Sequence, residues 1–253
     1  MRLACPYQLS PTQNLIAGGA QLSARNEGVA VDPYWASVVL LAINDNAADG
    51  TTMFVDQSTS AKTITTVGNA QYDTAQAPTG MTSTMLSDGT GDRLTLANSG
   101  DFDFGSGDFT IEYMIRFATT AEAHSVDKDD FDSVRFWHLS ANRLMSQMSF
   151  IYWVSGTPVI YRPSYSPVID TWYHHAISRT GTDLKAFVDG SQIGVSHNIG
   201  TSTIDAGSTL LTIAGSQGGG GTLNGWESNV RITKGVGRYT GTFTPPTLPM
   251  PTS

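Results

Sequence analysis

The sequence is poor in charged residues and has a single cysteine. Only 14% of the 253 residues are charged, and the formal net charge is −8. Nucleic-acid binding depends on clustered Lys and Arg, whereas the four lysines lie far apart, at Lys62, Lys128, Lys185 and Lys234. We therefore expect no nucleic-acid partner. Because Cys5 stands alone, no internal disulfide can form, and a chain of this length needs none to fold.

Long apolar runs are also missing. A membrane-spanning helix needs roughly 18 or more consecutive apolar residues, and no segment approaches this length. Residues 1–8 lack the apolar core of a signal peptide. The sequence thus predicts a protein that is made in the cytoplasm without a signal peptide and that has no membrane span.

Short segments with the pattern of β-strands occur throughout the chain. Residues 38–43 are continuously apolar, which is typical of a strand buried on both faces. Residues 109–117 alternate, with five apolar side chains on one face. The other candidates are residues 63–67, 93–96, 134–139, 150–154, 173–179, 184–188, 192–196, 210–213 and 226–232, the last with Trp226, Val230 and Ile232 inward. This pattern predicts an all-β fold, a two-sheet antiparallel β-sandwich.

The segments outside this pattern suggest the domain organisation. Residues 1–36 are interrupted by Pro and Gly, which predicts an extended N-terminal arm for assembly or anchoring, or a poorly ordered leader. Residues 37–247 hold the sandwich, and the Pro-rich tail at 248–253 should lie extended on the surface or on a partner. Residues 121–132 are polar, with an acidic run at 127–132, and predict a loop or an irregular edge.

Four segments, in this order, resemble the laminin-G-like, concanavalin A-like jelly-roll domains of phage structural (virion) proteins. They are residues 87–94, 101–112, 172–190 and 229–246, and the resemblance extends over residues 37–247. One position departs from the pattern: such domains commonly carry an acidic residue before Val-Arg-Ile, where this chain has Asn229. Any function of that acidic position does not transfer to this chain.

The resemblance implies a non-enzymatic virion protein, such as a capsid decoration protein, a head fibre or a tail-associated subunit. It would bind other virion proteins of the capsid or phage tail through its N-terminal arm and its Pro-rich C-terminal segment. It would also form a homo-oligomer, with a trimer as one candidate state. The alternative function is a carbohydrate-binding adsorption module that recognises host surface glycans. Jelly rolls host many functions, so the fold alone does not decide between the two.

The acidic residues do not predict glycoside cleavage. Glycosidases with this sandwich place two carboxylates across the scissile bond, and the laminarinase-like members carry them in a Glu-x-Asp-x-x-Glu strand. None of the four glutamates has this spacing. We expect Glu112 to be a solvated strand residue paired with Arg116. A hydrolase using aspartates such as Asp101 and Asp103 is a third alternative.

Metal binding has only weak candidates, so we expect no cofactor, with Ca²⁺ as the alternative. Asp88 and Asp92 could supply oxygen ligands to Ca²⁺, although Asp beside Gly also forms turns. The acidic run at 127–132 is a further candidate, with a solvated loop as the simpler interpretation. His174 and His175 are adjacent, so on a strand they point to opposite faces and cannot share a metal.

Four aromatic residues are the candidates for contact with a glycan or a protein partner. Aromatic faces stack on sugar rings and also fill protein interfaces. The alternative for each of them is packing in the core. The four residues are Tyr152, Trp153, Tyr161 and Tyr165.

Overall fold

The chain folds into two packed antiparallel sheets, as predicted. The computed structural model describes residues 31–129, 135–143 and 146–253. In this part of the chain there are fifteen strands, and the helical elements are two short 3-10 turns, Trp35–Ser37 and Gly100–Phe102. None of the described helices is long and apolar enough to cross a membrane. The N-terminal residues 1–30, including Cys5 and most of the predicted arm, lie outside the described residues.

Sheet I has eight strands: Val38–Ala42 (β1), Gln71–Asp73 (β3), Thr84–Asp88 (β4), Phe109–Phe117 (β6), Trp172–Thr180 (β11), Asp183–Val188 (β12), Ser191–Asn198 (β13) and Asn224–Lys234 (β15). Their order is β13-β12-β11-β6-β15-β4-β3, and β1 also pairs with β15. Sheet II has seven strands: Ile64–Val67 (β2), Arg93–Leu96 (β5), Ala123–Asp129 (β7), Arg135–Arg143 (β8), Gln147–Val154 (β9), Thr157–Tyr161 (β10) and Leu211–Ile213 (β14). Their order is β10-β9-β8-β7-β14-β5-β2.

The core lies between the two sheets and follows from the alternation of strand β6. Its five apolar side chains, from Phe109 to Phe117, are all buried. Phe109 stacks on Phe104 with ring centroids 4.1 Å apart and lies 5.8 Å from Phe150 of sheet II. Because alternate side chains of a strand share a face, the other residues of β6 must lie on the outer face of sheet I.

A C-terminal strap, residues 235–251, covers much of that outer face. Arg238 N donates to Thr110 Oγ1 at 2.9 Å, and Tyr239 N donates to Ser178 Oγ at 3.2 Å. Met250 is buried against β1, and its N–H donates to Asn44 Oδ1 at 2.7 Å. The tail thus packs on its own sandwich through Met250.

The prediction of a loop or irregular edge at residues 121–132 is wrong. Residues 123–129 form β7, an inner strand of sheet II whose seven residues are all buried. Its polar side chains are tolerated because they find partners: His124 Nδ1 lies 2.5 Å from Asp127 Oδ2, and Lys128 pairs with Asp103. Asp127 and Asp129 are therefore not part of a solvated loop, and residues 130–132 lie outside the described chain.

A bulge in β15 corrects the predicted inward side of residues 226–232. The register with β6 shifts between Ser228 and Arg231, and Asn229 adopts a φ of 52°. Trp226 therefore pairs with Arg116 on the outer face, and the Arg116 guanidinium lies 4.7 Å from its ring centroid. Glu227 instead points between the sheets, whereas Val230 and Ile232 face the core as expected.

Candidate functional site

A groove of about 540 Å³ opens on the outer face of sheet I. Its floor is Met114, Trp172 and His174, and Asp189 stands at its rim. One wall is the loop at residues 77–80, and the other is the strap at residues 245–248. Most ligand pockets combine an apolar lining with a few placed polar groups, and this groove has that composition.

The strand register places the floor residues side by side. His174 of β11 pairs with Met114 of β6, and Trp172 is two positions away on the same strand. Residues two apart on a strand share a face, so Trp172 and His174 both point outward while Tyr173 and His175 point toward the core. The prediction that His174 and His175 face opposite sides is confirmed.

A tight turn positions Asp189. The Asp189-Gly190 pair joins β12 to β13 with φ of 49° and 76°, as a two-residue hairpin turn requires. Asp189 Oδ1 accepts from His174 N at 2.8 Å, which ties the turn to the strand under the groove. The Asp189 side chain is exposed.

Two glycines allow the strap to approach the sheet closely. A Cβ on Gly190 would lie 1.9 Å from Phe243 O, and a Cβ on Gly80 would lie 2.3 Å from Leu248 O. Both have positive φ, which glycine adopts without steric cost. Larger residues at these positions would push the strap away and widen the groove.

Beneath the groove lies a buried network of charges centred on Glu112. The Glu112 carboxylate accepts from Arg231 Nε at 2.9 Å, from Tyr239 Oη at 2.7 Å and from His174 Nε2 at 3.0 Å. Burial would raise the pKa of Glu112, but Arg231 and the hydrogen bond from His174 outweigh it, so this pKa lies well below its ordinary value. Glu112 is therefore ionised.

The same network extends to the segment before β1. Asp32 is buried and accepts from Arg231 Nη1 at 2.8 Å and from Arg238 Nη1 at 2.9 Å. Burial would raise the pKa of Asp32, but the hydrogen bond from Arg238 helps to lower it overall. Two carboxylates and two guanidiniums thus compensate each other beneath the strap.

This network orients the His174 ring. An ionised carboxylate only accepts hydrogen bonds, so Nε2 of His174 carries the proton that Glu112 accepts. The other ring nitrogen, Nδ1, is buried without a hydrogen-bond partner.

Glu112 is not the solvated partner of Arg116 that we expected. It is fully buried, whereas Arg116 pairs with Asp170 at 2.9 Å. The reason is the strap, which covers this face of β6. Sequence patterns did not point to Trp172 or Asp189 as site residues. The Trp-x-His spacing on a strand is the signal that could have suggested a shared outward face.

The four predicted aromatic residues do not form one site. Tyr152 and Tyr161 point into the core, where Tyr152 Oη lies 3.0 Å from His197 Nε2 and the Tyr161 ring stacks on His197. Trp153, next to Tyr152 on β9, points to the outer face of sheet II and is 7% exposed. Tyr165 is half-buried against His175, with ring centroids 5.0 Å apart. Their contact with a glycan or a partner stays a prediction.

Asp88 and Asp92 organise the turn between β4 and β5. Asp92 is buried, and its two oxygens accept from Asn69 N at 2.7 Å and Asp88 N at 3.1 Å. Asp88 Oδ1 accepts from Thr90 N at 2.7 Å. In the described part of the chain no group of three or more His, Cys, Asp or Glu residues could hold a metal ion. Local geometry favours the turn role, and Ca²⁺ binding stays a prediction.

The other acidic candidates are also engaged. Glu227 is fully buried between the sheets, where it accepts from Ser125 Oγ, and burial raises its pKa well above the ordinary value. Asp101 lies 2.7 Å from Lys62 Nζ, and Asp103 pairs with Lys128. Each of these carboxylates therefore already has a partner within the fold.

Comparisons with known proteins identify the fold. The model of the family Laminin_G_3, described as the concanavalin A-like lectin/glucanases superfamily, matches residues 88–236. No curated protein matches the sequence. Among solved structures, the binding domain of Paraclostridial Mosquitocidal Protein 1 is 15% identical with a TM-score of 0.59, and the match covers 80% of this chain and 50% of that one.

Botulinum neurotoxin binding domains are similar to the same extent. The serotype D binding domain is 14% identical with a TM-score of 0.57, covering 81% of this chain and 50% of the other. The serotype D ligand-binding domain in complex with N-acetylneuraminic acid is 13% identical with a TM-score of 0.54, covering 80% and 49%. The chain thus spans about half the length of these structures, and at this identity the likeness establishes the fold alone.

Proposed function

We propose a glycan-binding function for this chain, which belongs to the Laminin_G_3 family of the concanavalin A-like lectin/glucanases superfamily. The observation that supports it is the groove on sheet I. There a half-buried indole, Trp172, and an exposed carboxylate, Asp189, line the same opening.

Each of these groups matches a part of a sugar. The face of an aromatic ring packs on the apolar face of a pyranose, whereas hydroxyl groups donate to a carboxylate such as that of Asp189. The groove therefore favours a ligand that is apolar on one face and rich in hydroxyls at its edge.

The proposed module binds without cleaving. Of the described glutamates, Glu112 and Glu227 are fully buried and cannot reach a glycosidic bond. Hydrolysis by Asp101 and Asp103 is not favoured either, because each is paired with a lysine. Paired, accessible carboxylates are what glycosidases of this superfamily require.

Glycan-array binding by the full chain tests the proposal. We expect Trp172→Ala to abolish binding and Trp153→Ala, on the opposite sheet, to leave it unchanged. Loss of binding with Trp153→Ala and not with Trp172→Ala would place the ligand on sheet II, as the aromatic pattern of the sequence suggested. An array without any bound glycan would refute the function. Chelation of Ca²⁺ in the same assay tests a role for Asp88 and Asp92.

A second candidate function is assembly into a phage particle as a homo-oligomeric structural protein. The edge strands β10 and β13 lie on the same side of the sandwich, since Tyr161 Oη donates to Val195 O at 3.0 Å. Ile160 and Val195 on these edges are 49% and 84% exposed. Exposed edge strands with apolar side chains are common pairing surfaces.

Light scattering of the purified chain tests this second function. We expect an oligomer, with a trimer as one outcome, that dissociates on Val195→Lys but not on Val168→Lys, which changes an exposed valine outside these strands. A monomer at every concentration, together with normal incorporation of a chain lacking residues 1–36 into particles, would contradict it.

A further inference from the structure

The geometry points to a groove that prefers neutral and amino-substituted sugars over acidic ones, with Asp189 as the residue that sets this preference. The inference rests on the proposed glycan-binding function and adds the class of ligand. Its basis is the distribution of charge around the groove.

The charged group that a ligand would meet is a carboxylate. The Asp189 side chain is exposed at the rim of the groove. Among the described residues that line the groove, none is Lys or Arg. A ligand carboxylate would therefore meet a like charge without a Lys or Arg side chain in the lining to balance it.

The cations near the groove are already engaged. Arg231 and Arg238 are buried and bind Glu112 and Asp32 at 2.8–2.9 Å. Arg116, next to Trp172 across the strand pair, binds Asp170 at 2.9 Å. Recruiting one of these guanidiniums for an acidic sugar would leave its carboxylate partner without a counter-charge, which is costly for the buried pairs.

An ammonium group on the sugar has the opposite effect. Near a protein surface, unit charges about 4 Å apart interact strongly enough to change an affinity by roughly tenfold or more. An amino sugar gains this attraction to Asp189, and an acidic sugar meets repulsion of the same order. A neutral sugar lies between the two.

Asp189→Asn isolates the charge. The amide keeps an oxygen for the hydrogen bond from His174 N, and Asn tolerates the positive φ of this position. Asp183→Asn is the matched control, because Asp183 is exposed on β12 and does not line the groove. Both variants change the net charge by the same amount, so an effect of the overall net charge on sugar binding would appear in both.

The experiment is calorimetric titration of the full chain with three β-1,4-linked tetramers: cellotetraose, the free-amine glucosamine tetramer and the glucuronic acid tetramer. We expect the amine to bind at least threefold more tightly than cellotetraose and the acid at least tenfold more weakly. Asp189→Asn should bring all three within about threefold, and Asp183→Asn should leave the ranking unchanged.

Three results would overturn the inference. The first is an acidic tetramer that binds as tightly as the neutral one. The second is a ranking that survives Asp189→Asn, and the third is no binding of any tetramer. If glycans on the array still bind in a manner that requires Trp172, the proposed function stands while the preference is refuted; if none binds, both are refuted.

Discussion

At the scale of single residues, Glu112 is the charge on which the outer face of sheet I depends. Its carboxylate holds a guanidinium, a phenol and an imidazole in place from three different segments of the chain. Removing one partner of a buried ion pair typically costs about 3–5 kcal/mol, because the remaining charge loses its compensation. This cost makes Glu112 a structural residue.

We predict that Glu112→Gln lowers the free energy of unfolding by about 3 kcal/mol. Urea denaturation followed by tryptophan fluorescence measures this change. Asp183→Asn, at an exposed position, should change it by less than about 0.5 kcal/mol. A Glu112→Gln protein as stable as the wild type would show that the network is not needed to hold the strap.

Alternation along β6 predicted which face Glu112 occupies, but not what covers that face. The covering residues Arg238 and Tyr239 lie more than a hundred positions further along the sequence, and nothing local connects them to Glu112. Local patterns likewise did not show that one ring nitrogen of His174 would be buried without a hydrogen-bond partner. The groove could therefore not be predicted from the sequence, although strand β6 of its floor could.

At the scale of elements, the strap at residues 235–251 closes sheet I and forms one wall of the groove. Phe243 N donates to Gly190 O at 2.9 Å, and the Phe243 ring stacks on Tyr239 with centroids 3.5 Å apart. A Cβ on Gly190 would collide with the carbonyl of Phe243. The hairpin turn and the strap are thus fitted to each other.

Gly190→Ala should displace the strap and destabilise the protein by about 1–3 kcal/mol, from strain and lost contacts. Hydrogen exchange at Phe243 measures the displacement, and we expect its amide to exchange at least tenfold faster. Gly181→Ala is the control, since Gly181 also has positive φ but an added Cβ there would have no atom within 4 Å. Equal exchange rates at Phe243 in the two variants would mean that the backbone strain of Ala at positive φ, and not the collision with the Phe243 carbonyl, causes the effect.

Acid should loosen the strap. The pKa values of Glu112 and Asp32 are lower in the folded chain than their ordinary values of 4.5 and 3.8. A lowered pKa adds stability that is complete above the unfolded-state pKa and is lost as the pH falls below it. We therefore expect a constant melting temperature above about pH 5 and a decline below about pH 4.5.

The melting temperature measured from pH 7 to pH 3 tests this dependence. The decline should be shallower for Glu112→Gln, which has already lost the titrating carboxylate. The same slope in wild type and variant would assign the acid sensitivity to other carboxylates.

Elements with clear alternation were predictable, whereas β7 was not. Strands β6 and β11 and the Asp189-Gly190 hairpin follow from local pattern and turn chemistry. The sequence of strand β7, Ala-His-Ser-Val-Asp-Lys-Asp, is as polar as that of a loop. It can be buried because its charged side chains have partners from distant segments, such as Asp103 for Lys128. Burial of charge is a tertiary property, and the sequence pattern cannot show it.

At the scale of the whole molecule, the groove and the exposed apolar edge residues lie on different parts of the sandwich. Sheet I carries the strap and the groove, and the β10 and β13 edges carry exposed Ile160 and Val195. The proposed glycan binding at the groove and the proposed assembly through the edges are compatible, because many copies in one particle would raise the avidity of a weak site. The class of the fold followed from the sequence, but the separation of these surfaces needed the structure.

The most direct test of the account is to locate the bound sugar with indole NMR signals. The chain has five tryptophans, and Trp→Phe variants would assign their Nε1–H resonances. On titration with the glycan that binds best on the array, we predict a shift of the Trp172 signal and no change at Trp137 or Trp153. A shift at Trp153 with a fixed Trp172 signal would contradict the account and move the binding site to sheet II.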